Sequence, residues 1–418
     1  MEIERKYYLN KLISKKENQL IKIITGIKGS GKSYLLDPIF KNYLLENGVD
    51  KEHIIKLELD SFENEEYTNP KKLYEYVMAK VVDNDTYYII LDEIQKVDDF
   101  ESVLNSFLRK SNFDVYVTGS NSKFLSSDII TEFRGRGDEI RVYPLSFSEF
   151  MSVYNDNEVK GLDEYINYGG LPLITTFKTA EEKISYLSFQ RDNVYINDVI
   201  ERNKIKNDEE LKTLVEVISS SIGSLTNPTK LYNTFISKGN KNITNKTIAL
   251  YLKYLEDAFL IEKSKRFDVK GKKYIETPSK YYFVDMGIRN SLINFRQLEK
   301  THMMENIIYS ELRRREFNVD VGVVEKRDNL NNGEKDYKQL EIDFVANKGS
   351  DKYYIQSAYS IEDKDKRQQE SQSLLDVGDN FKKIVIVYDH FIKWQDDNGI
   401  IYMSIYDFLL NDNILKEV

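Results

Sequence analysis

The sequence predicts a multidomain α/β protein that begins with a parallel sheet of five strands flanked by helices. Three observations predict it. A glycine-rich loop, Gly26-Ile27-Lys28-Gly29-Ser30-Gly31-Lys32-Ser33, fits G-x-x-x-x-G-K-[ST] and stands between an apolar run and a helical pattern. A second apolar run, starting at Thr86, ends in the paired carboxylates Asp92 and Glu93. Strand-like and helix-like segments alternate through residues 1–150, the pattern of parallel strands joined by crossover helices.

In chain order, residues 20–25 read as a buried strand leading into the loop. After the loop, Tyr34, Leu35, Leu36, Ile39, Phe40, Tyr43 and Leu44 recur at helical spacing. Strand, loop and helix N-terminus together make a phosphate cradle. Backbone N–H groups and the helix dipole favour an anion, Lys32 reaches the β- and γ-phosphates, and Ser33 helps hold Mg²⁺. Tyr34 completes the expected nucleotide-contacting run. Residues 53–59 alternate as a strand, and 70–81 read as a helix. The Thr86 run has the Walker B pattern, with Asp92 at a strand tip to anchor Mg²⁺ and Glu93 beside it to polarise the attacking water. A helix over 100–110, a strand over 114–118 with the polar tip Gly119-Ser120-Asn121-Ser122, and a strand over 139–143 complete the sheet. Ligands of such sheets bind beyond the strand C-termini.

With 418 residues the chain is too long for one core. It has no cysteine, so disulfides and thiolate-ligated metals are excluded. His53, His302 and His390 are far apart and read as surface or packing residues. No stretch of about twenty residues is free of charge, so no membrane span is expected, and the N-terminus has no apolar signal region. A cytoplasmic location is the expectation. Net charge is −9, yet residues 229–280 hold twelve Lys/Arg against five Asp/Glu, a basic island in an acidic chain.

The segments TGIKGSGKS, YYIILDEIQ, VYVTGSNSKFLS, EFRGRGDEIRVYPLSFSEF and YGGLP resemble the prokaryotic AAA+ ATPase family whose C-terminal half is a domain of unknown function. The likeness continues through DIIERNKI, TNKTIALYLKYLEDAFLI, KYYFVDMGIRN, MMENIIYSELRRR and EIDFVANK. It implies ATP and Mg²⁺ as ligands and carries the family's motif roles to Gly26, Gly31, Lys32, Ser33, Asp92 and Glu93. By the same resemblance, Ser120 or Asn121 is a γ-phosphate sensor and Arg136 an arginine finger. A finger acting in trans would require a homo-oligomer. Arg134 and Arg136 also read as ordinary surface ion-pair partners.

Residues 209–221, 229–238 and 244–260 read as three helices, followed by β-like runs at 261–267 and 281–284. Three helices and a basic hairpin describe a winged helix. If it binds DNA, Lys241, Asn242, Asn245 and Lys246 lead the third helix into a groove, and Lys270, Lys272 and Lys273 of the wing touch phosphates. The alternative is a spacer or lid that packs on the ATPase.

The last third reads as a helix carrying Glu305, the run Glu341-Ile342-Asp343-Phe344, a strand at 352–358, a helix at 367–375 and a strand at 383–388. This order resembles the restriction-endonuclease-like fold, whose active members bind a divalent metal with a helix Glu, a strand Asp and a Glu-x-Lys. Glu305 and Asp343 match and Glu341 could assist, but the third element is Gln356-Ser357-Ala358. One carboxylate and one cation are therefore missing together, which implies a degenerate site. The expected layout is an ATPase domain over 1–150, a helical lid or linker over 151–208, a winged helix over 209–290 and a nuclease-like domain over 291–418. The expected activity is Mg²⁺-dependent ATP hydrolysis coupled to a partner, DNA among the candidates. The rivals are a nucleotide switch with negligible turnover and a metal-dependent nuclease.

Overall fold

Strands β1 (Ile21–Thr25), β2 (Ile54–Glu58), β3 (Tyr87–Asp92), β4 (Phe113–Gly119) and β5 (Gly137–Arg141) pair in parallel in the order β2-β3-β4-β1-β5. The computed structural model describes residues 3–120, 135–237, 243–296, 299–329, 335–362 and 364–417. Every residue of β1, β3 and β4 is buried, because helices cover both faces of the sheet. Alternate side chains serve the two layers. Ile21, Ile23, Ile89, Leu91, Val115 and Val117 meet Leu73, Val77, Leu104 and Phe107 of the helices Pro70–Ala79 and Phe100–Phe107. On the other face, Ile24, Tyr88, Ile90 and Tyr116 meet Tyr8, Leu12, Leu35, Leu36 and Phe40. The expected five-stranded parallel sheet with flanking helices is therefore present.

One expectation needs correction. The helix after the glycine-rich loop does not run unbroken to Leu44. Turns at Lys32–Tyr34 and Leu35–Phe40 are interrupted at Asp37, whose backbone is extended (φ −143°, ψ 114°), and a helix resumes at Lys41–Glu46. Pro38 accounts for the break: a residue before proline is pushed out of the helical region, and proline offers no N–H.

The chain divides into two compact units, Met1–Pro144 with Asp257–Phe259, and Leu145–Glu256 with Leu260–Val418. Residues 151–208 belong to the second unit and form the helices Glu158–Tyr168, Ala180–Gln190 and Ile196–Asn203. The second unit also holds a mixed sheet in the order β12-β13-β11-β10-β9-β8-β6-β7. Its strands are β6 (Ile261–Asp268), β7 (Lys273–Phe283), β8 (Asn318–Asn329), β9 (Lys335–Lys348), β10 (Asp351–Ala358), β11 (Lys382–Val387), β12 (Trp394–Gln395) and β13 (Ile400–Ser404). β8, β9 and β10 form an antiparallel ladder, and β11 joins β10 in parallel. The helices Lys300–Arg314 and Lys364–Leu375 pack against this ladder.

The expected wing is different in the structure. Helices Asp208–Ser220, Pro228–Ser237 and Asn245–Asp257 precede a hairpin, as read, and Thr226 bridges Ser279 of that hairpin. Yet β6 and β7 are two strands of the eight-stranded sheet, with Arg266 to Asp268 paired in parallel to Val321 to Val323. A register shift falls between Ser264 and Arg266, just where β6 takes up its pairing with β8. A free wing was expected because β8 carries little signal in the sequence: its outer half, Glu325 to Asn329, is wholly polar.

Two of the resembling segments, YGGLP and KYYFVDMGIRN, prove to be partners. Asp285 accepts from the N–H groups of Gly170 (2.7 Å) and Ile288 (3.0 Å). Gly169 has φ +75°, and a Cβ there would lie 2.1 Å from Asp285 Oδ1. Gly169→Ala is therefore expected to destabilise the second unit by about 2–3 kcal/mol, the scale of strain at a glycine-only backbone position. A thermal melt of the variant checks this, and an unchanged midpoint would mean the junction is loose.

Candidate functional site

The glycine-rich loop leaves β1 at Thr25 and closes on itself before Lys32. Gly26 adopts φ +140°, and a Cβ there would stand 2.1 Å from the Val142 carbonyl oxygen, so only glycine lets the loop start this close to the chain after β5. Ile27 is buried and anchors the loop, while Lys28 and Gly29 are exposed at its outer edge. Ser30 is fully buried, and its Oγ has no hydrogen-bond partner among the described residues. Gly31 (φ +90°) opens the turn that carries Lys32, with Ser33 and Tyr34 exposed beyond it. Because the helix breaks at Asp37, only a short dipole stands behind the loop. What the loop offers an anion is therefore chiefly its N–H groups and Lys32.

Lys32 is buried, and its Nζ donates to the carbonyls of Gly26 (3.0 Å) and Ile27 (3.2 Å). Burial pulls its pKa below the usual range, and the charges of Glu93 and then Asp92 oppose that pull. The loop and the acidic tip are thus electrostatic neighbours. Register explains why: Thr25 pairs with Gly119 of β4, and Leu91 pairs with Val117 of the same strand. One strand separates the two tips, about 10 Å at ordinary strand spacing.

That intervening tip contributes the key hydroxyl. Thr118 Oγ1 donates to Asp92 Oδ1 and accepts from the Glu93 N–H at 2.8 Å. Glu93 sits in the left-handed region (φ 52°, ψ 48°), which turns its side chain at the strand exit. Gln95 Nε2 and, at 3.3 Å, Ser120 Oγ both donate to Glu93 Oε2. Of the two sensor candidates, Ser120 therefore meets Glu93, and Asn121 lies outside the described residues. The donor set fits a magnesium–triphosphate: an exposed hydroxyl at Ser33, a carboxylate at Asp92, a lysine and a row of N–H groups.

Arg136 is not brought to this cluster. It is exposed at the start of β5, where its carbonyl accepts from Ile21 N, at the opposite end of β1 from the loop. Four strand steps make that roughly 13 Å, beyond contact with the chain's own loop. Nothing in the sequence marked Arg5, which the structure puts under the loop. Its guanidinium is buried and donates to the carbonyls of Ser30 (3.1 Å) and Tyr143 (2.7 Å). The only available signal was a basic residue leading an amphipathic helix, Lys6–Ser14, ahead of the first strand.

Of the nucleic-acid candidates, Lys241 and Asn242 lie outside the described residues. Asn245 and Lys246 are exposed at the start of their helix. Lys272 and Lys273 are exposed at the hairpin tip, whereas Lys270 Nζ donates to the Glu325 carbonyl of β8 at 3.0 Å.

In the second unit, Glu305, Glu341, Asp343 and Gln356 do converge. Gln356 Oε1 accepts from Asp343 N (3.4 Å), and Asp343 Oδ2 accepts from Ser357 N (2.9 Å). Among them stands Lys280 of β7, which the sequence did not single out as a site residue. Its Nζ lies 2.8 Å from Glu305, 2.7 Å from Glu341 and 3.6 Å from Asp343. Against the pull of burial, these charges hold the ammonium well above its usual range. Burial, then the Glu305 charge, pushes the Asp343 carboxyl up to about 7. Burial also acts to raise Glu305, but the Lys280 charge and hydrogen bonds keep it below its ordinary value.

Residues 18–151 match the model of an AAA domain family, and residues 159–299 match a domain of unknown function, DUF8612. An uncharacterized protein of Haemophilus influenzae is 34% identical over 416 residues, covering 98% of both chains. One from Methanocaldococcus jannaschii, MJ1544, is 31% identical over 365 residues, covering 84% of this chain and 77% of the relative. Among solved structures, Aeropyrum pernix ORC1 in complex with DNA is similar at 10% identity and a TM-score of 0.32, covering 70% of this chain and 93% of that one. AMPPCP-bound DnaA from Aquifex aeolicus is similar at 15% identity and a TM-score of 0.29, covering 61% and 88%. Among the described residues no helix is long and apolar enough to cross a membrane.

The Thr118 hydroxyl yields a prediction. Thr118→Val keeps the shape and removes the bridge to Asp92. Calorimetry should show affinity for Mg²⁺·ATP falling about tenfold, the worth of one hydrogen bond to a charged group. Affinity for ATP without Mg²⁺ should hardly change. An equal loss in both conditions would mean that Thr118 serves the loop instead.

Proposed function

The chain belongs to the AAA+ superfamily of P-loop proteins, and from that premise we propose that it binds ATP with Mg²⁺ and hydrolyses it at the tips of β1, β3 and β4. The observation that carries this reading is the Thr118 hydroxyl bonded to both Asp92 and the Glu93 N–H, with the buried Lys32 an electrostatic neighbour of the two carboxylates. Ser33 and Asp92 would hold Mg²⁺, which would supply positive charge against the phosphate oxygens. The loop N–H groups and Lys32 orient the triphosphate and balance charge on the γ-phosphoryl group as its bond to ADP breaks. Glu93 receives the proton of the attacking water, and Ser120 and Gln95 hold its carboxylate for that task. Arg5 keeps the loop in shape from beneath. Arg136 serves as a finger only in trans, to a second copy of the chain.

Nucleotide state is then read by the second unit, whose partner is a nucleic acid or a protein. The exposed Asn245 and Lys246 support a nucleic-acid partner, and the tethering of Lys270 leaves fewer lysines for phosphate contact than a free wing would offer. Binding to DNA and RNA at two salt concentrations, with and without a non-hydrolysable ATP analogue, measures that electrostatic contribution.

Two variants test the enzymatic reading. Lys32→Ala should lose nucleotide binding, and unchanged ATP affinity would defeat the proposal. Glu93→Gln should bind ATP as well as the wild type but turn it over at least about a hundredfold more slowly, the usual worth of a general base. Retained turnover would take Glu93 out of its role. Negligible turnover by the wild type itself, with partner affinity set by nucleotide, would make the protein a switch.

A further inference from the structure

We propose that Lys280 is the built-in cation of the Glu305–Glu341–Asp343 cluster, taking the place that a divalent metal would otherwise occupy and closing this site to metals. Lys280 is 3% exposed, so its ammonium has almost no access to water and depends on the protein for its counter-charges. Three carboxylates supply them, from the helix Lys300–Arg314 and from β9. Glu305 is held from several sides: Tyr282 OH donates to the same Oε1 at 2.7 Å, and His302 Nδ1 approaches Oε2 at 4.0 Å. The carboxylate oxygens nearest the nitrogen stand at 2.7–2.8 Å, the length of charge-assisted hydrogen bonds. Magnesium would require oxygens drawn in to about 2.1 Å and further ligands besides.

The neighbouring residues agree with a resident ammonium. A glutamate at position 356 would add a fourth negative charge to a site with one cation. The position instead carries Gln356, whose Nε2 donates to Glu370 at 3.5 Å while its Oε1 accepts from Asp343 N. A lysine at position 358 would bring a second cation to the strand. That residue is Ala358, packed in the apolar cluster with Val345, Tyr354 and Val385. The cluster therefore acts as an internal ion-pair node joining β7, β9 and the Glu305 helix. This inference is independent of the nucleotide site.

The test is Mn²⁺ binding to the full, nucleotide-free chain, followed by electron paramagnetic resonance of free Mn²⁺. The wild type should show no binding that depends on Asp343. Lys280→Met keeps the unbranched stem and removes the ammonium, so its Mn²⁺ affinity should rise more than about tenfold, because three uncompensated carboxylates then favour a cation. Adding Asp343→Asn to K280M should abolish that gain. If K280M folds poorly, melting decides: Mn²⁺ should raise its midpoint by several degrees, and K280M/E305Q, with one carboxylate fewer, should melt above K280M. The proposal is overturned by Mn²⁺ binding to the wild type that D343N removes, or by metal-dependent DNA cleavage abolished by D343N. It is equally overturned by a folded K280M with no gain, or by a double variant no more stable than K280M.

Discussion

One hydroxyl constrains the whole of the proposed nucleotide site. Thr118 sits on the strand between the glycine-rich loop and the acidic tip, and its Oγ1 bonds both Asp92 and the Glu93 amide. For that hydroxyl to serve both, β4 must lie beside β3, and its register must bring Thr118 level with the end of β3; pairing with β1 on the other side sets the loop one strand away. The register has its own lock. Lys22 of β1, fully buried, pairs with Asp114 of β4, and Asp114 also accepts from Tyr116 OH (2.8 Å) and Glu17 N (3.0 Å). A buried charge pair is a poor source of net stability, but sliding either strand would leave a charge unpaired, which is far worse. Position at the tip is thus secured by chemistry at the base of the same strands.

The break at Asp37 changes how the cradle works. A long helix behind a phosphate loop offers a full macrodipole, whereas here the first helical segment is short. The compensation is local: a buried lysine, N–H groups aimed by positive-φ glycines, and Arg5 bonded to the Ser30 carbonyl from the far side. Arg5 and Lys32 bracket the loop, so it stays in shape through contacts rather than through the helix that follows.

Much of this was legible in the sequence, and what was not has physical reasons. Strands β1, β3 and β4 announced themselves because both faces are buried, which leaves continuous apolar runs, whereas the partly exposed β2 was read from its alternation. The Walker pattern could be read because its chemistry fixes its spacing, and the structure puts Lys32, Asp92 and Glu93 at neighbouring strand tips. The Asp37 break was hidden because Leu36, Ile39, Phe40 and Leu44 face the same core on either side of it. The hairpin at 261–283 looked like a wing because sequence shows local pairing and not the long-range ladder with β8. Lys280 escaped notice because a lysine's counter-charges, here 25 and more residues away, leave no local trace. Arg136 is the opposite case: its motif named a role that could be completed only by a second copy, because the residue lies at the far end of β1 from the loop of its own chain.

The two carboxylate clusters make a useful contrast. At the β3 tip, Asp92 and Glu93 accept from neutral hydroxyl and amide donors. Around Lys280, the carboxylates meet a fixed ammonium instead. The most direct measurement of the central claim is a crystal structure of the protein with Mg²⁺ and a non-hydrolysable ATP analogue. The predicted result is a γ-phosphate bound between Lys32 and the Thr118–Ser120 tip, with the metal on Ser33 and Asp92. Nucleotide density elsewhere, or a triphosphate that leaves Asp92 and Thr118 untouched, would contradict it.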